Sequence, residues 1–428
     1  MDRIQELIAN IQRDSAELAT LYHPPANGPV VSTPDEFDNA LATTALGGTI
    51  FCSTLLIYPK PLTVTKSVRI VSVADGLFRM TKDEPAPQFT GGIRVLGDDV
   101  MLGGLEVRHT DPGVAIIELF GLRPYLKRLR VLGDPINGGK RGIGANGGEM
   151  MILRCYIDDI KRKGQDSQGI GGFDFLAPGL LIDDCYISAA GQSIMMGGDD
   201  PKTELGIPSD VTVTHCDCTK EPRWLAEGWQ VKCAIECKNV KNMIVRDTTA
   251  QWAGTSQGQG GFLFVMTPRN QNGHAPWSTV EDVLVERVHA RYGCGAINFL
   301  GTDSNFPSGL IKRVTFRDVQ FDEIDALGPC KMAAARGSGR MFQFDKAPAQ
   351  VTLENITVNG QNLQASGYFI GAPPTALTLR NMKLATSKYG WKIDGGGQGE
   401  AALKAYAPDI TYEVTPTDTG ASNVPNLP

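Results

Sequence analysis

The chain has 428 residues, 49 of them glycine and nine cysteine, and a formal net charge of −6. Its acids and bases are interspersed, which argues against a nucleic-acid-binding surface, and no run of roughly 18 or more apolar residues is present to span a membrane. Ordinary statistics would allow about two or three domains at this length.

The first stretch, MDRIQELIANIQRD, lacks the apolar h-region and small-residue cleavage site of a secretory signal. Residues 3–22 are expected to form an amphipathic helix. Ile4, Leu7, Ile11, Leu18 and Leu21 follow a heptad pattern that Asp14 interrupts. This helix either lies on the body of the protein or serves as a small oligomerisation or docking element. His23 to Pro29 cannot continue it and reads as a linker, so residues 1–31 form an N-terminal segment.

A second helix starts at Thr33, with Pro34 at its first position and Asp35 and Glu36 in its first turn. Phe37, Leu41 and Ala42 are expected on one face, and Gly47-Gly48 ends it. Strands are expected at Thr49–Cys52, Leu62–Val64 and Val68–Val71.

From Gly104 onward a four-residue phrase recurs: a small polar or charged residue, an inward anchor, any residue, then usually an apolar one. Examples are Arg128-Leu129-Arg130-Val131, Asp184-Cys185-Tyr186-Ile187 and Asn355-Ile356-Thr357-Val358. The ten anchors, from Leu105 to Met382, lie 24, 26, 30, 31, 32, 40, 31, 37 and 26 residues apart. Such a period signals a solenoid, and alternation within each copy makes the unit a strand. The expected fold is all-β: a single right-handed parallel β-helix of about a dozen coils over residues 32–385, preceded by helices. At ~4.8 Å per strand the stack is about 55–60 Å long. A helix at its start would cover an otherwise open end. Residues 386–428 add a strand at Ile410–Val414 and a polar tail from Thr415, either disordered or laid along a partner.

Cys155, Cys185 and Cys216 are anchors of the repeat, and Cys218 is the next inward position. They are expected as a buried column of small hydrophobic thiols. Cys233 and Cys237 have no partner pair at zinc-like spacing, and no metal or cofactor is expected.

TPDEFDNALATTALGGTIFCS resembles the opening segment of the pectin-lyase-like right-handed β-helices. That superfamily includes polysaccharide lyases, polygalacturonases and bacteriophage tailspikes. The stretch from Ile194 to Asp303, with MMGGDDP, IPSDVTVTHC, Lys220 and Trp224, TPRNQNGHAPWSTVEDV and INFLGTDS, resembles uncharacterised bacterial β-helix proteins. The resemblance implies the fold over residues 32–385. The second group carries no established chemistry to transfer. The Asp-His phrase of pectate lyases and the Asn-x-Asp phrase of polygalacturonases do not appear at the corresponding strands.

The longest anchor intervals mark inserted loops, where solenoids elaborate binding surfaces. Trp224, Trp229, Trp252 and Trp277 lie in this middle region. Their indole faces suit the C–H faces of sugars, or else they pack loops onto the coils. The candidate glycan-binding residues are Trp224, Trp252, Arg269, His274 and Trp277. Glycoside hydrolysis needs two carboxyl groups, one ionised and one protonated. The candidate pool is Asp199, Asp200, Glu204, Glu221 and Asp303, although adjacent acids in a GGDDP turn also suit a solvated turn. A lyase would instead use Arg223, Lys232 or Arg269 against a uronate. His274 has no second histidine near it for a metal, and Gly142 to Gly147 opens no helix, so it is no dinucleotide loop.

Two functions follow as expectations. One is a receptor-facing phage tail protein of the virion that contacts host surface glycan. It would be homotrimeric, docking to other virion proteins through the N-terminal helix or C-terminal tail. The alternative is a polysaccharide lyase or glycoside hydrolase, secreted if a signal peptide was removed. Neither involves nucleic acid or membrane.

Overall fold

The computed structural model describes residues 27–109, 111, 113–256, 259–328 and 337–414. The amphipathic stretch 3–22 and the tail from Thr415 lie outside the described residues.

The chain winds as a right-handed parallel β-helix. One sheet has twelve strands, from Leu62–Val64 to Trp391–Ile393, each parallel to the next coil's strand. A wider sheet of 23 strands carries most coils as two short strands separated by a bend. Inward residues stack in register: Ile117, Ile143, Ile170, Ile194 and Ile235 lie one above another through five coils. All five are fully buried. Burial on one inner face and solvent on the other explains why alternation is legible in these strands.

The bend explains the recurring phrase. Its first residue, from Gly104 through Arg128, Asp184 and Asn355 to Asn381, sits in the left-handed region in all ten copies, with φ between +48° and +67°. Short polar residues tolerate that region best. The next residue, the anchor, lies between two short strands in seven copies and inside one long strand at Val288, Val319 and Ile356, and in the cysteine column its amide is met by a side chain. Leu129 N donates to Cys155 Sγ (3.4 Å), Cys155 N to Cys185 Sγ (3.4 Å) and Cys216 N to Thr248 Oγ1 (3.3 Å). Cysteine and threonine at these anchors therefore satisfy buried amides that the ladder leaves open. Burial also pushes the Cys185 and Cys216 thiols well above their ordinary pKa.

A second column of left-handed residues lies just before the other strand of the coil, at Asp99 and Arg123, or just inside its start, at Asp210, Asn242, Asp282, Arg313 and Gln350 among others. Neighbouring members pair across coils: Arg123 with Asp99 at 2.7 Å and Arg313 with Asp282 at 2.6 Å. Exposed pairs of this kind contribute about 0–1 kcal/mol each.

The N-terminal cap is the helix Pro34–Thr43, closed by a reciprocal box in which Thr33 and Glu36 accept each other's backbone amides. It buries Phe37 and Ala40, with Leu41 partly covered and Ala42 exposed. The apolar face is thus 37–40–41. Phe37 packs on Tyr58 and Phe89, with ring centroids 4.9 and 5.3 Å away.

Residues 73–87 leave the repeat and run as a strap over the wider sheet. Arg79 of the strap reaches Asp184 at 2.7 Å and also pairs with Asp217. Arg128 and Arg130 hold the strap from below, through Asp75 Oδ1 (3.1 Å) and the Glu84 carbonyl (2.6 Å) respectively.

The stack does not stop at 385. Trp391–Ile393 pairs with Gly367–Phe369, and Thr411–Glu413 with Thr378–Arg380. Between them the helix Glu400–Tyr406 buries Leu403 and covers this end. The glycine-rich approach at 395–399 conceals that helix in the sequence.

Gln350 tests the bend in isolation, because its side chain is exposed and its φ is +53°. Gln350→Val is expected to be about 1–2 kcal/mol less stable than Gln350→Gly, read as a lower thermal midpoint for the valine variant.

Candidate functional site

The outer face of the twelve-stranded sheet is the floor of a groove, and loops at both ends of its strands are the walls. Register fixes the outward row. Glu118, Gly144, Gly171, Met195, Glu236, Val265, Asn298, Gln343 and Tyr368 succeed one another on consecutive coils. One half of the groove has a volume of about 940 Å³ and is bounded by Arg141, Asp166, Phe173, Asp199 and Leu205. The other half, about 520 Å³, is bounded by Lys232, Glu236, Arg269, Asn298 and Arg340. Lys238 lines both.

The floor is low where it carries glycine. A Cβ on Gly171 would lie 2.7 Å from Phe173 Cζ and 3.2 Å from Arg141 Nε. Only glycine leaves room for the Arg141 guanidinium to lie over the Phe173 ring, 4.1 Å from its centre.

A chain of polar groups runs along the leading edge of the floor. Arg141 Nε donates to Gln168 Oε1 at 3.2 Å, and Gln168 Nε2 to Gln192 Oε1 at 3.2 Å. Gln192 Nε2 then donates to two carboxylates, Glu236 Oε2 at 2.6 Å and Asp166 Oδ2 at 3.1 Å. Lys232 Nζ lies 2.9 Å from Asp166 Oδ2, and Gln230 also donates to Asp166. Burial works against the Asp166 charge, but Lys232 and Gln192 outweigh it and hold the carboxyl below its ordinary pKa. Burial likewise opposes the Lys232 charge, and Glu236 and Asp166 overcome it, raising its pKa. Further along, Gln343 Nε2 donates to Asn298 Oδ1 at 3.0 Å, a second amide ladder.

The residues expected from sequence are dispersed. Asp199 and Arg269 line the groove. Asp200 is a clip: its Oδ2 accepts from the amides of Asn272 (2.9 Å) and His274 (3.0 Å). Asp303, its side chain 2 % exposed, accepts from Arg269 Nη1 at 3.1 Å and from the amides of Asn270 and Asn305. Glu204 is exposed and pairs with Lys241 at 2.8 Å. Glu221 and Trp252 border a small niche beside Lys220, away from the groove. His274 is 82 % exposed on the loop that Asp200 holds. The five acids therefore do not converge on one bond.

The tryptophans divide in the same way. Trp224 is buried with Trp229, Ala190 and Val231, so it packs the short helix Arg223–Ala226 and offers no face to a sugar. Trp252 stacks on Tyr292, with centroids 4.5 Å apart. Trp277 is partly buried in its own loop.

Sequence reasoning missed Arg141, Asp166, Gln168, Gln192, Glu236 and Lys238. A signal was present: Arg141-Gly142-Ile143, Gln168-Gly169-Ile170 and Gln192-Ser193-Ile194 form a second phrase, one per coil. It marks the floor strands as the first phrase marks the bend.

No protein-family model matches the chain, and no curated protein is similar to it. Solved structures are. The catalytic unit of a thermostable GH87 α-1,3-glucanase from Streptomyces thermodiastaticus has a TM-score of 0.51 at 13% identity, over 92% of this chain and 67% of that one. An alginate lyase from Paenibacillus gives 0.48 at 12% identity, over 85% and 97%. The Dettilon tailspike protein gives 0.41 at 12% identity, over 84% and 64%. The likeness to the glucanase supports the parallel β-helix fold and nothing finer.

Lys232 is the ion on which the polar chain turns. Lys232→Met leaves the buried Asp166 without its cation, while Glu236 keeps Lys238 at 3.7 Å, and is expected to cost about 3–5 kcal/mol in denaturant unfolding. Adding Asp166→Asn should recover part of that loss. In the parent protein the Asp166 contribution is complete above about pH 4, its unfolded value. It is lost as pH falls through the lower folded value.

Proposed function

We propose that this protein binds a polysaccharide in the groove over the twelve-stranded sheet, as a receptor-facing virion component that contacts host surface glycan. The observation that carries the reading is the floor itself. The buried pair Gln168–Gln192 braces the floor, and the half-buried amides Asn298 and Gln343 line the groove, which also carries the ring of Phe173 and the exposed Leu205 on its rim. Amides pair with sugar hydroxyls, and apolar surface takes the C–H faces between them.

Placement in a virion draws on the thiols. Cys52, Cys155, Cys185, Cys216, Cys218, Cys233 and Cys237 are buried free thiols, and Cys155, Cys185 and Cys216 stack in consecutive coils. Such thiols suit a chain that folds in a reducing compartment. The same reading includes a homotrimer, formed by the flanks of the β-helix together with residues 4–21. Light scattering at micromolar concentration is expected to give a trimer, and a monomer both with and without residues 1–22 would contradict it.

A second reading, cleavage, is favoured by one observation. Asp166 and Glu236 accept from the same nitrogen of Gln192, so they are no farther apart than two hydrogen bonds. Retaining glycosidases hold their two carboxyl groups about 5–5.5 Å apart.

The test uses the full chain on an array of bacterial surface polysaccharides. Wild type should be retained, and Asn298→Trp, which fills the floor, should not. No retention of wild type, or equal retention of the variant, would overturn the reading. Size-exclusion profiles of a bound polysaccharide separate the two modes. Unchanged chain length supports binding alone, whereas shortening that Glu236→Gln or Asp166→Asn abolishes supports cleavage.

A further inference from the structure

The groove is charged opposite to the molecule that carries it. Its two halves are lined by seven lysines and arginines and four carboxylates, whereas the whole chain is −6. Most of those cations are already committed. Lys232 pairs with Asp166 at 2.9 Å, Arg269 with Asp303 at 3.1 Å, Lys202 with Asp174 at 3.9 Å and Lys238 with Glu236 at 3.7 Å.

Arg141 and Arg340 differ. Among the described residues neither has a carboxylate within 4 Å. Arg141 has the Gln168 carbonyl and the Phe173 ring, with Glu118 and Asp199 acting only at longer range. Arg340 has Gln343 Oε1 and the Tyr368 ring, 3.7 Å from its centre. Both are partly buried. Burial pulls the Arg141 pKa down to about 10 and lowers that of Arg340 as well. A guanidinium stripped of water and left without an anion is an unfavourable arrangement in the free protein. An incoming carboxylate or sulfate would relieve it, and the flat aromatic beneath each group fixes the fork in one plane for bidentate contact.

The two groups occupy the same column of the sheet. Following the register from Arg141 through Gln168, Gln192, Cys233, Phe262 and Gly295 to Arg340 crosses six strand intervals, about 29 Å at ~4.8 Å each. The amide ladders and the Asp166–Lys232–Glu236 group lie between.

Resting on the glycan reading above, we propose that the groove takes an anionic polysaccharide lying across the coils, with Arg141 and Arg340 receiving its charged groups at the two ends. The polymer is long enough to span seven coils, and its intervening hydroxyls meet the amides. In the middle, Asp166 and Glu236 already neutralise Lys232 and Lys238, so no uncommitted cation receives an anionic group there. The ligand is therefore one whose charges are spaced along the chain rather than borne on every unit of contact.

The experiment uses the full-length protein and polysaccharides retained on the array, each offered in three forms: native, carboxyl-reduced and desulfated. Native material is expected to bind, and one of the two treatments to abolish binding, which identifies the anion as carboxylate or sulfate. Arg141→Gln and Arg340→Gln are each expected to weaken binding about tenfold or more and to flatten its salt dependence. Neither replacement strands a buried carboxylate, so both variants should keep the parent thermal midpoint. Arg123→Gln, at a surface pair outside the groove, should change nothing. Retention that survives both treatments, or that ignores both groove variants, overturns the anionic assignment while leaving glycan binding intact. No retention of any polysaccharide overturns the glycan reading itself, and this proposal with it.

Discussion

Everything in this molecule depends on how a coil turns a corner without orphaning its backbone. A parallel strand pair needs its amides and carbonyls in register, yet the coil must bend twice within the wider sheet. The solution is a left-handed residue at each bend, stacked on its counterparts above and below. At Arg128, Arg154 and Asp184 this residue still donates its own amide to the next coil. Where the following anchor loses its ladder bond, the cysteine or threonine of the next coil accepts it instead. The cost of left-handed geometry, about 1–2 kcal/mol for most residues, is accepted once per bend because it keeps the ladder whole on both sides. Burying an unpaired amide would cost a comparable or larger amount each time.

That constraint decides which surface is free to bind. The wider sheet is crowded by its own bends, by ion pairs between left-handed residues and by the strap that Arg128 and Arg130 hold down. The twelve-stranded sheet has no bend column. Its outward row can therefore vary coil by coil, with glycine at 171 where the Phe173 ring lies flat and amides at Asn298 and Gln343. Insertions at either end of its strands raise walls without disturbing the ladder, because each coil packs only on its neighbours.

The bend was legible in sequence because it recurs as a polar residue followed by an anchor, and the anchor fixes the period. The cap at Thr33 was legible because its chemistry is local. The groove was not. Its floor comes from nine consecutive coils whose residues meet only through register, so Gln168, Gln192 and Glu236 look like unrelated polar residues until the strands are aligned. Composition pointed instead to the loop acids and tryptophans. Asp200, Asp303 and Trp224 are concentrated there because long inserts need internal clips and packing, which draws on the same residue types as a glycan site. The strap at 73–87 and the helix at 400–406 were hidden for a related reason, since each is held by contacts distant in sequence, such as Arg79 with Asp217.

Ligand binding in the groove is tested most directly by a structure of the full chain with a retained oligosaccharide bound. Sugar density is expected over the twelve-stranded sheet, against the amides of Asn298 and Gln343, with charged groups at Arg141 and Arg340. Density on the wider sheet, or confined to the loops carrying Trp252 and Trp277, would contradict it.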